Sequence, residues 1–172
     1  MKILAISGSL RKASLNSMLL RAIARVAPPD IDIILYRGLG ELPLFNPDME
    51  DPVPAAVAML REQIVAADAI IIASPEYAHG VSGVMKNALD WMVGNESFVY
   101  KPVALLNTSP RASHAFAALR ETLTTMSARV IDAACITVPL LGTGLVEDAI
   151  VRDPQLHQTL TAMLRSLRQA VP

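Results

Sequence analysis

The chain has 172 residues, of which 52% are hydrophobic and 18% are charged, and its formal net charge is −1. This composition argues against disorder and predicts a single domain over residues 1–172. The near-neutral charge disfavours nucleic acid as a partner, and no apolar run reaches the ~18 residues of a membrane span, so we expect no membrane insertion. The single cysteine, Cys135, excludes an internal disulfide, and we therefore expect a cytoplasmic protein.

The chain alternates short apolar runs, which predict strands, with apolar residues at three- or four-residue spacing, which predict helices. In chain order the predicted elements are strand Ile3–Ile6, helix Leu15–Val26, strand Ile31–Tyr36, helix Ala55–Ala67, strand Ala69–Ala73, helix Val84–Val93, strand Val103–Asn107, helix Ser113–Ala128, strand Ile131–Val138 and helix Pro154–Ala170. Two long loops are predicted, at 37–54 and 139–153. Because connections usually have about 4–6 residues, the first of these loops suggests a function.

Strands that alternate with helices predict parallel pairing through right-handed crossovers. Five such strands in a chain of this length predict an α/β fold, namely a flavodoxin-like three-layer sandwich with a five-stranded parallel sheet in the order 2-1-3-4-5. The run Ala69–Ala73 is apolar throughout, as expected for a strand that is buried on both faces.

The loop after the first strand combines small polar side chains with one arginine. Its polar members include Ser9, Arg11, Ser14, Asn16 and Ser17. Unsatisfied N–H groups at the start of a helix favour an anion, and Arg11 can add a charge-assisted hydrogen bond. The loop lacks the glycine patterns of dinucleotide and ATP sites, so it predicts a site for a terminal monophosphate. Alternatively, Ser14 only caps the helix.

A second loop follows the third strand and contains Pro75, Glu76 and Tyr77. Pro75 directs the chain away from the strand, and the following backbone groups can then contact the edge of a planar heterocycle. Tyr77 can stack on a ring face, and His79 can donate a hydrogen bond to a ring oxygen, unless it is only an exposed loop histidine. Loops for an anion and for a flat ring, both at the carboxyl ends of strands, predict a bound nucleotide-like cofactor.

Four segments carry a resemblance to a known family. They are Gly8-Ser9-Leu10-Arg11 with Ser14 and Asn16, Leu42-Pro43-Leu44-Phe45-Asn46, Pro75-Glu76-Tyr77, and Gly83-x-x-Lys86-Asn87-Ala88-x-Asp90-Trp91. These segments resemble the NADPH-dependent FMN reductases, a family of flavodoxin-like fold that includes chromate, quinone and azo-dye reductases. The resemblance covers nearly the whole chain.

The resemblance implies an FMN cofactor, NADPH or NADH as hydride donor, and a small-molecule electron acceptor such as a quinone, chromate, an azo dye or free flavin. The implied ligands of the FMN phosphate are Ser9, Arg11, Asn16 and Ser17, with Ser14 assisting or capping the helix. The implied contacts of the isoalloxazine are Pro75, Glu76, Tyr77, Ala78, His79 and Gly80, largely through main chain, with Ser109 and Arg111 after the fourth strand. No catalytic side chain and no metal are implied, because the flavin carries the chemistry.

Several positions depart from the family pattern. Ala78 and Gly80 replace the usual asparagine and serine, and Ser82 replaces the usual proline before the glycine. Main-chain contacts survive such changes, whereas a side-chain hydrogen bond from position 78 is lost. The segment 109–114 lacks the glycines of many relatives, so we expect a loop of different shape. There Arg111 either lies near the flavin or the nicotinamide phosphate, or is a solvated loop arginine.

Two other functions remain open. A flavodoxin-type electron carrier, an FMN-binding module without its own turnover, fits the fold, but such carriers are usually strongly acidic, because their docking is electrostatically steered. A hydrolase or a non-flavin phosphate-binding protein also fits the fold, although a phosphatase would need a cysteine in the first loop, and residues 7–17 contain none. The family and the apolar composition predict a homodimer or a dimer of dimers.

Overall fold

The structure, a computed structural model, describes residues 1–171. Its strands are β1 (Lys2–Ser7), β2 (Asp32–Tyr36), β3 (Ala69–Ala73), β4 (Glu76–Tyr77), β5 (Gly80–Val81), β6 (Pro102–Asn107), β7 (Arg129–Val130) and β8 (Ile136–Thr137). Its helices are α1 (Leu15–Val26), α2 (Ala55–Ala66), α3 (Gly83–Val93), α4 (Ser113–Thr125), α5 (Glu147–Arg152) and α6 (Pro154–Gln169). Short 3₁₀ turns in the connections are Leu39–Glu41, Pro47–Met49, Glu96–Phe98 and Asp132–Ala134.

The central sheet is parallel and follows the order β2-β1-β3-β6, and both β7 and β8 then pair with β6. Helices α2, α3 and α4 contribute to the core on one face, and α1, α5 and α6 contribute to the core on the other. This arrangement confirms the predicted flavodoxin-like sandwich and its 2-1-3-4-5 order, with β7 and β8 sharing the fifth position.

Strand β3 belongs to both cores because successive side chains of a strand point to opposite faces of the sheet. Ile70 and Ile72 pack in the core beneath α2, α3 and α4, whereas Ile71 packs in the core beneath α1 and α6. All five residues of the strand are fully buried. The unbroken apolar sequence of this strand is therefore explained by its central place in the sheet.

The connection between β2 and α2 is anchored to α3. The carbonyl oxygen of Pro43 accepts hydrogen bonds from Asn87 Nδ2 at 2.9 Å and from Trp91 Nε1 at 2.8 Å. Asn87 Oδ1 accepts a third bond from the amide of Phe45, whose ring packs edge-on against Trp91 with centroids 5.1 Å apart. These contacts hold the segment around Pro43 against the Asn87–Trp91 segment of α3.

The prediction of one continuous fifth strand, Ile131–Val138, is wrong. Strand β7 pairs with the start of β6, the 3₁₀ turn follows, and β8 pairs with the end of β6. The amide of Leu105 in β6 donates to the Sγ atom of Cys135 at 3.3 Å, where a continuous partner strand would offer a carbonyl oxygen. The half-buried thiol thus accepts an amide of β6 where the ladder is interrupted by the 3₁₀ turn, and burial raises the pKa of Cys135.

The predicted loop 139–153 contains a short helix, α5. Its first residue, Glu147, accepts a hydrogen bond from Arg21 Nε of α1 at 2.7 Å, and Asp148 accepts one from Arg25 at 2.6 Å. A helix of six residues is too short to show a hydrophobic period, so its sequence predicts a loop.

Helix α4 ends earlier than predicted, at Thr125. No helix within residues 1–171 is long and apolar enough to cross a bilayer.

Candidate cofactor site

Three loops meet at the carboxyl ends of β1, β3 and β6 and line a cavity of about 300 Å³. The residues that were predicted from the sequence and line this cavity are Ser9, Arg11, Ser14, Asn16, Pro75, Glu76, Tyr77, Ser109 and Arg111. The predicted residues that do not line it are Ser17, Ala78, His79 and Gly80. We call this cavity the candidate cofactor site.

Ser14 caps α1 and also lines the site. Its side-chain oxygen accepts a hydrogen bond from the amide of Ser17 at 3.2 Å, and its backbone is extended, as a capping residue requires. The amides of Leu15 and Asn16 in the first turn have no carbonyl in the preceding turn to which they can donate. The helix start therefore presents a cap and open N–H donors together, and both are favourable for an anion.

Asn16 is oriented by Thr108, a residue outside the set predicted from the sequence. The hydroxyl of Thr108 donates to Asn16 Oδ1 at 3.2 Å, and both residues are buried, with 6% and 5% of their surface exposed. Since the oxygen of the amide is engaged, its NH₂ group is the end left for a ligand. Thr108 also lines the site, and its polarity directly after the apolar strand β6 is the signal that identifies it.

Ser17 lies on the other side of the first loop. Its hydroxyl shares a hydrogen bond of 2.8 Å with the hydroxyl of Ser7, and the Ser7 oxygen accepts the amide of Ser9 at 3.3 Å. The Ser17 side chain therefore joins α1 to the end of β1. Its contact with a phosphate stays a prediction.

The loop after β3 folds back as the hairpin β4–β5. Its two turn residues, Ala78 and His79, have φ values of 49° and 58°, the left-handed pair that a type I′ turn requires. His79 stacks on His114 of α4, with ring centroids 4.5 Å apart. Tyr77 is 54% exposed at the rim of the site. The hairpin thus presents Tyr77 to the site and directs the imidazole of His79 to α4.

Glu76 joins this hairpin to α4. Its Oε2 atom accepts a hydrogen bond from the amide of Ala115 at 2.8 Å, across a sequence separation of 39 residues. The residue before the helix, Ala112, has no side-chain oxygen for this purpose, so Glu76 supplies the cap from outside the helix. A carboxylate at a helix start is also stabilised by the helix dipole.

Asn107 shapes the third loop, which follows β6. Its Oδ1 atom accepts the amide of Ser109 at 2.9 Å, and its Nδ2 atom donates to the carbonyl of Ala112 at 3.3 Å. The two bonds hold both ends of a short loop that contains Arg111. The loop therefore keeps a defined shape without glycines, and it brings Arg111 to the wall of the site.

The donor set of the site fits FMN. Arg11 and Arg111 are the cations of the lining, and neither forms a salt bridge with any residue of the described chain. Glu76 is the lining carboxylate, and Ala115 already engages it. Positive charge, hydroxyls and helix-start amides suit a phosphate, while Pro75 and Tyr77 provide surface for a planar ring.

Solved structures of flavin oxidoreductases superpose on nearly the whole chain. FerB, a flavoenzyme NAD(P)H:(acceptor) oxidoreductase from Paracoccus denitrificans, superposes with a TM-score of 0.77 at 26% identity, over 98% of both chains. An apo NADH:FMN oxidoreductase superposes with a TM-score of 0.67 at 22% identity, which shows the shared fold. Fold and site together define a flavodoxin-like flavoprotein.

The sequence profile of the NADPH-dependent FMN reductases matches residues 1–140, and the chain belongs to this family. It is 34% identical over 113 residues to a quinone reductase of Escherichia coli and 43% identical over 111 residues to an NAD(P)H-dependent FMN reductase of Pseudomonas aeruginosa. Each match covers 63% of this chain and 60% of the relative's length. A quinone reductase of Pseudomonas putida is 34% identical over 139 residues, which are 77% of this chain and 72% of the relative. The predicted family is confirmed.

Proposed function

We propose that the protein is an NAD(P)H-dependent FMN oxidoreductase, which takes a hydride from a nicotinamide and delivers electrons to a quinone, chromate, an azo compound or free flavin. The observation that carries this proposal is the single cavity in which the start of α1 with Arg11 and Asn16 faces Pro75–Tyr77. Family membership and the activities named for the relatives support it.

The first loop has the binding role in this function. The open amides of Leu15 and Asn16, the Asn16 NH₂ group and the Arg11 guanidinium would hold the phosphate of FMN. Thr108 contributes indirectly, since it fixes the orientation of Asn16. Ser14 stabilises the helix whose start carries these donors.

The second and third loops have the orienting role. When bound, FMN supplies the hydride-accepting and electron-donating chemistry. The main chain of Pro75–Tyr77 would orient the ring edge, and the exposed rim at Tyr77 would give the nicotinamide and then the acceptor access to the site. Arg111 would add a positive charge near the ring, which favours negative charge that develops there.

We further propose one FMN-binding domain over residues 1–172 and a cytoplasmic homodimer or dimer of dimers. Exposed apolar residues on and near the loop 37–54 support self-association. Leu44 is 83% exposed, and Leu10, Met49 and Phe45 are also accessible. Because large exposed apolar side chains that cluster are typical of interaction surfaces, this loop and α3 are the proposed contact regions.

The test is an anaerobic titration of FMN-loaded protein. NADPH or NADH should bleach the visible flavin band, and a benzoquinone should restore it. Arg11→Gln should lower FMN retention on gel filtration, whereas the matched control Arg152→Gln, at an exposed position of α5, should retain FMN like the parent protein. Bound FMN that neither nicotinamide bleaches would overturn the reductase proposal in favour of a carrier, and a protein that does not bind FMN even when FMN is in excess would overturn both.

A further inference from the structure

A second cavity lies on the other side of the first loop, against the ends of β1 and β2. It has a volume of about 460 Å³, which is within the range of about 300–1,000 Å³ of small-molecule sites. We call it the β2 groove and define it by Ser7, Arg11, Lys12, Tyr36 and Arg37, which belong to its lining.

The lining of the β2 groove is strongly basic. Its charged members are Arg11, Lys12, Arg21 and Arg37, and no carboxylate of the described chain lines it. Arg21 already binds Glu147 at 2.7 Å, whereas Arg11, Lys12 and Arg37 form no salt bridge within residues 1–171. Such a concentration of unpaired cations around a concave surface raises the local concentration of anions.

A tyrosine hydroxyl adds an uncharged donor to the groove. Tyr36, the last residue of β2, is 9% exposed, and a Cβ atom at position 38 would lie 2.8 Å from its hydroxyl oxygen. Gly38 therefore leaves the space that this hydroxyl occupies. Burial first, and then the charge of Glu41, raises the pKa of Tyr36, so the hydroxyl keeps its proton at neutral pH.

The β2 groove adjoins the candidate cofactor site. Ser9 and Arg11 line both, and they also line a third cavity that reaches Tyr77 and Gly83. A ligand with one end near Tyr77 can thus follow a continuous surface past Leu10 into the groove. The cofactor site has its own anion donors at the start of α1, so the groove offers positive charge for a second phosphate.

We propose that the β2 groove binds the adenosine 2′-phosphate of NADPH, with Lys12 and Arg37 as its charged ligands and Tyr36 as a hydroxyl donor. The proposal rests on the proposed function, because it requires a nicotinamide dinucleotide as substrate. The 2′-phosphate is the group by which NADPH differs from NADH, and a basic groove favours its negative charge. In the Rossmann fold, which is a different α/β fold, an arginine likewise accommodates the 2′-phosphate of NADP.

The test measures binding without turnover. FMN-loaded protein is titrated calorimetrically with 2′,5′-ADP and with 5′-AMP, which lacks the 2′-phosphate. We expect 2′,5′-ADP to bind at least about tenfold more tightly, since charge-assisted hydrogen bonds to a phosphate are worth about one power of ten or more each. Arg37→Gln and Lys12→Gln should each weaken the binding of 2′,5′-ADP about tenfold and leave the binding of 5′-AMP unchanged. Arg152→Gln is the control with the same change of charge.

Three outcomes would overturn the proposal. Equal affinity for 2′,5′-ADP and 5′-AMP would exclude a 2′-phosphate site, and unchanged 2′,5′-ADP binding in both variants would exclude this groove. A loss of FMN affinity in Arg37→Gln would assign the groove to the flavin phosphate instead. Bleaching by saturating NADH tests the proposed function separately, because NADH does not use the 2′-phosphate ligands.

Discussion

The hydroxyl of Ser82 donates a hydrogen bond of 2.6 Å to the carbonyl oxygen of Gly8, and Ser82 is only 2% exposed. This bond joins the loop after β1 to the hairpin after β3, which are the proposed phosphate and ring sides of the candidate cofactor site. The amide of Gly8 also donates to Ala73 at 2.8 Å. In the sequence, Ser82 is only a departure from the family pattern, whereas in the structure it connects the loops after β1 and β3.

Ser82→Ala should destabilise the protein by about 1–3 kcal/mol, because the buried Gly8 carbonyl loses its side-chain donor. Thermal unfolding should show a decrease in Tm of about 2–4 °C per kcal/mol for a chain of this size. The exposed Ser113→Ala, which removes the same hydroxyl group at the start of α4, serves as the control. Equal Tm values for the two variants would show that the Ser82 bond contributes nothing.

Gly8→Ala should also destabilise the protein and reduce FMN retention. A Cβ atom at this position would lie 2.3 Å from Ser74 Oγ and 2.8 Å from Ser74 Cβ, so the two loops would have to move apart. Overpacking of this kind costs about 1–3 kcal/mol. Gly83→Ala is the matched control, since a Cβ there meets nothing within 4 Å. Wild-type stability of Gly8→Ala would contradict the close approach.

Glu76→Ala should release the start of α4. Loss of a helix cap costs about 0.5–2 kcal/mol, and the amide of Ala115 should exchange with solvent faster once Glu76 Oε2 is gone. Glu76→Gln keeps an acceptor oxygen and should restore much of the protection. Hydrogen exchange at Ala115 measures the effect directly. Unchanged exchange in Glu76→Ala would show that the carboxylate does not cap the helix.

Ala78→Asn should stabilise the hairpin by up to about 1 kcal/mol, because asparagine tolerates the left-handed backbone that alanine adopts at a cost. Ala78→Val should have the opposite effect, since a β-branched side chain is disfavoured at positive φ. The measurement is thermal unfolding of both variants beside the parent. If valine is tolerated as well as asparagine, the type I′ turn is not formed in solution.

The ion pairs between α1 and α5 should make stability depend on acidity. The hydrogen bond from Arg21, together with that from Arg25, lowers the pKa of Glu147 below its usual range. The charged carboxylate is therefore favoured in the folded state. Its contribution is complete above the unfolded pKa of about 4.3 and is lost as the pH falls through the lower folded pKa.

Glu147→Gln should consequently lower Tm at neutral pH, and this difference should shrink below the usual glutamate pKa of about 4.3. The arginine side chains are 41% and 44% exposed, so solvent screening limits each pair to less than about 1 kcal/mol. Thermal unfolding of both proteins across the acid range measures the difference, and high salt should reduce it. A difference that is independent of pH would exclude the charge of Glu147 as its cause.

The sequence predicted the features that depend on neighbouring residues, such as buried strands and helix caps. The five apolar residues of β3 favour a central strand, and Ser14 has the residue type and position of a helix cap. The order of strands and helices then fixed the parallel sheet and brought the first and second loops to one edge. Most of the predicted site residues accordingly line one cavity.

Contacts between distant segments could not be predicted in this way. A 3₁₀ turn interrupts the fifth strand, and beside it the sulfur of Cys135 accepts the amide of Leu105, a contact that nothing near position 135 in the sequence indicates. Glu76 caps a helix that begins 37 residues later, at Ser113, and Thr108 orients Asn16 across the sheet edge. Each of these contacts depends on the assembled fold.

The division of the last sheet position between β7 and β8 has a consequence for the behaviour of the protein at high concentration. Each piece pairs through only two residues, and a 3₁₀ turn separates the two pieces. A strand from a second molecule would find too few consecutive amides and carbonyls to extend the sheet there. This border therefore resists intermolecular β-sheet growth and fibril formation.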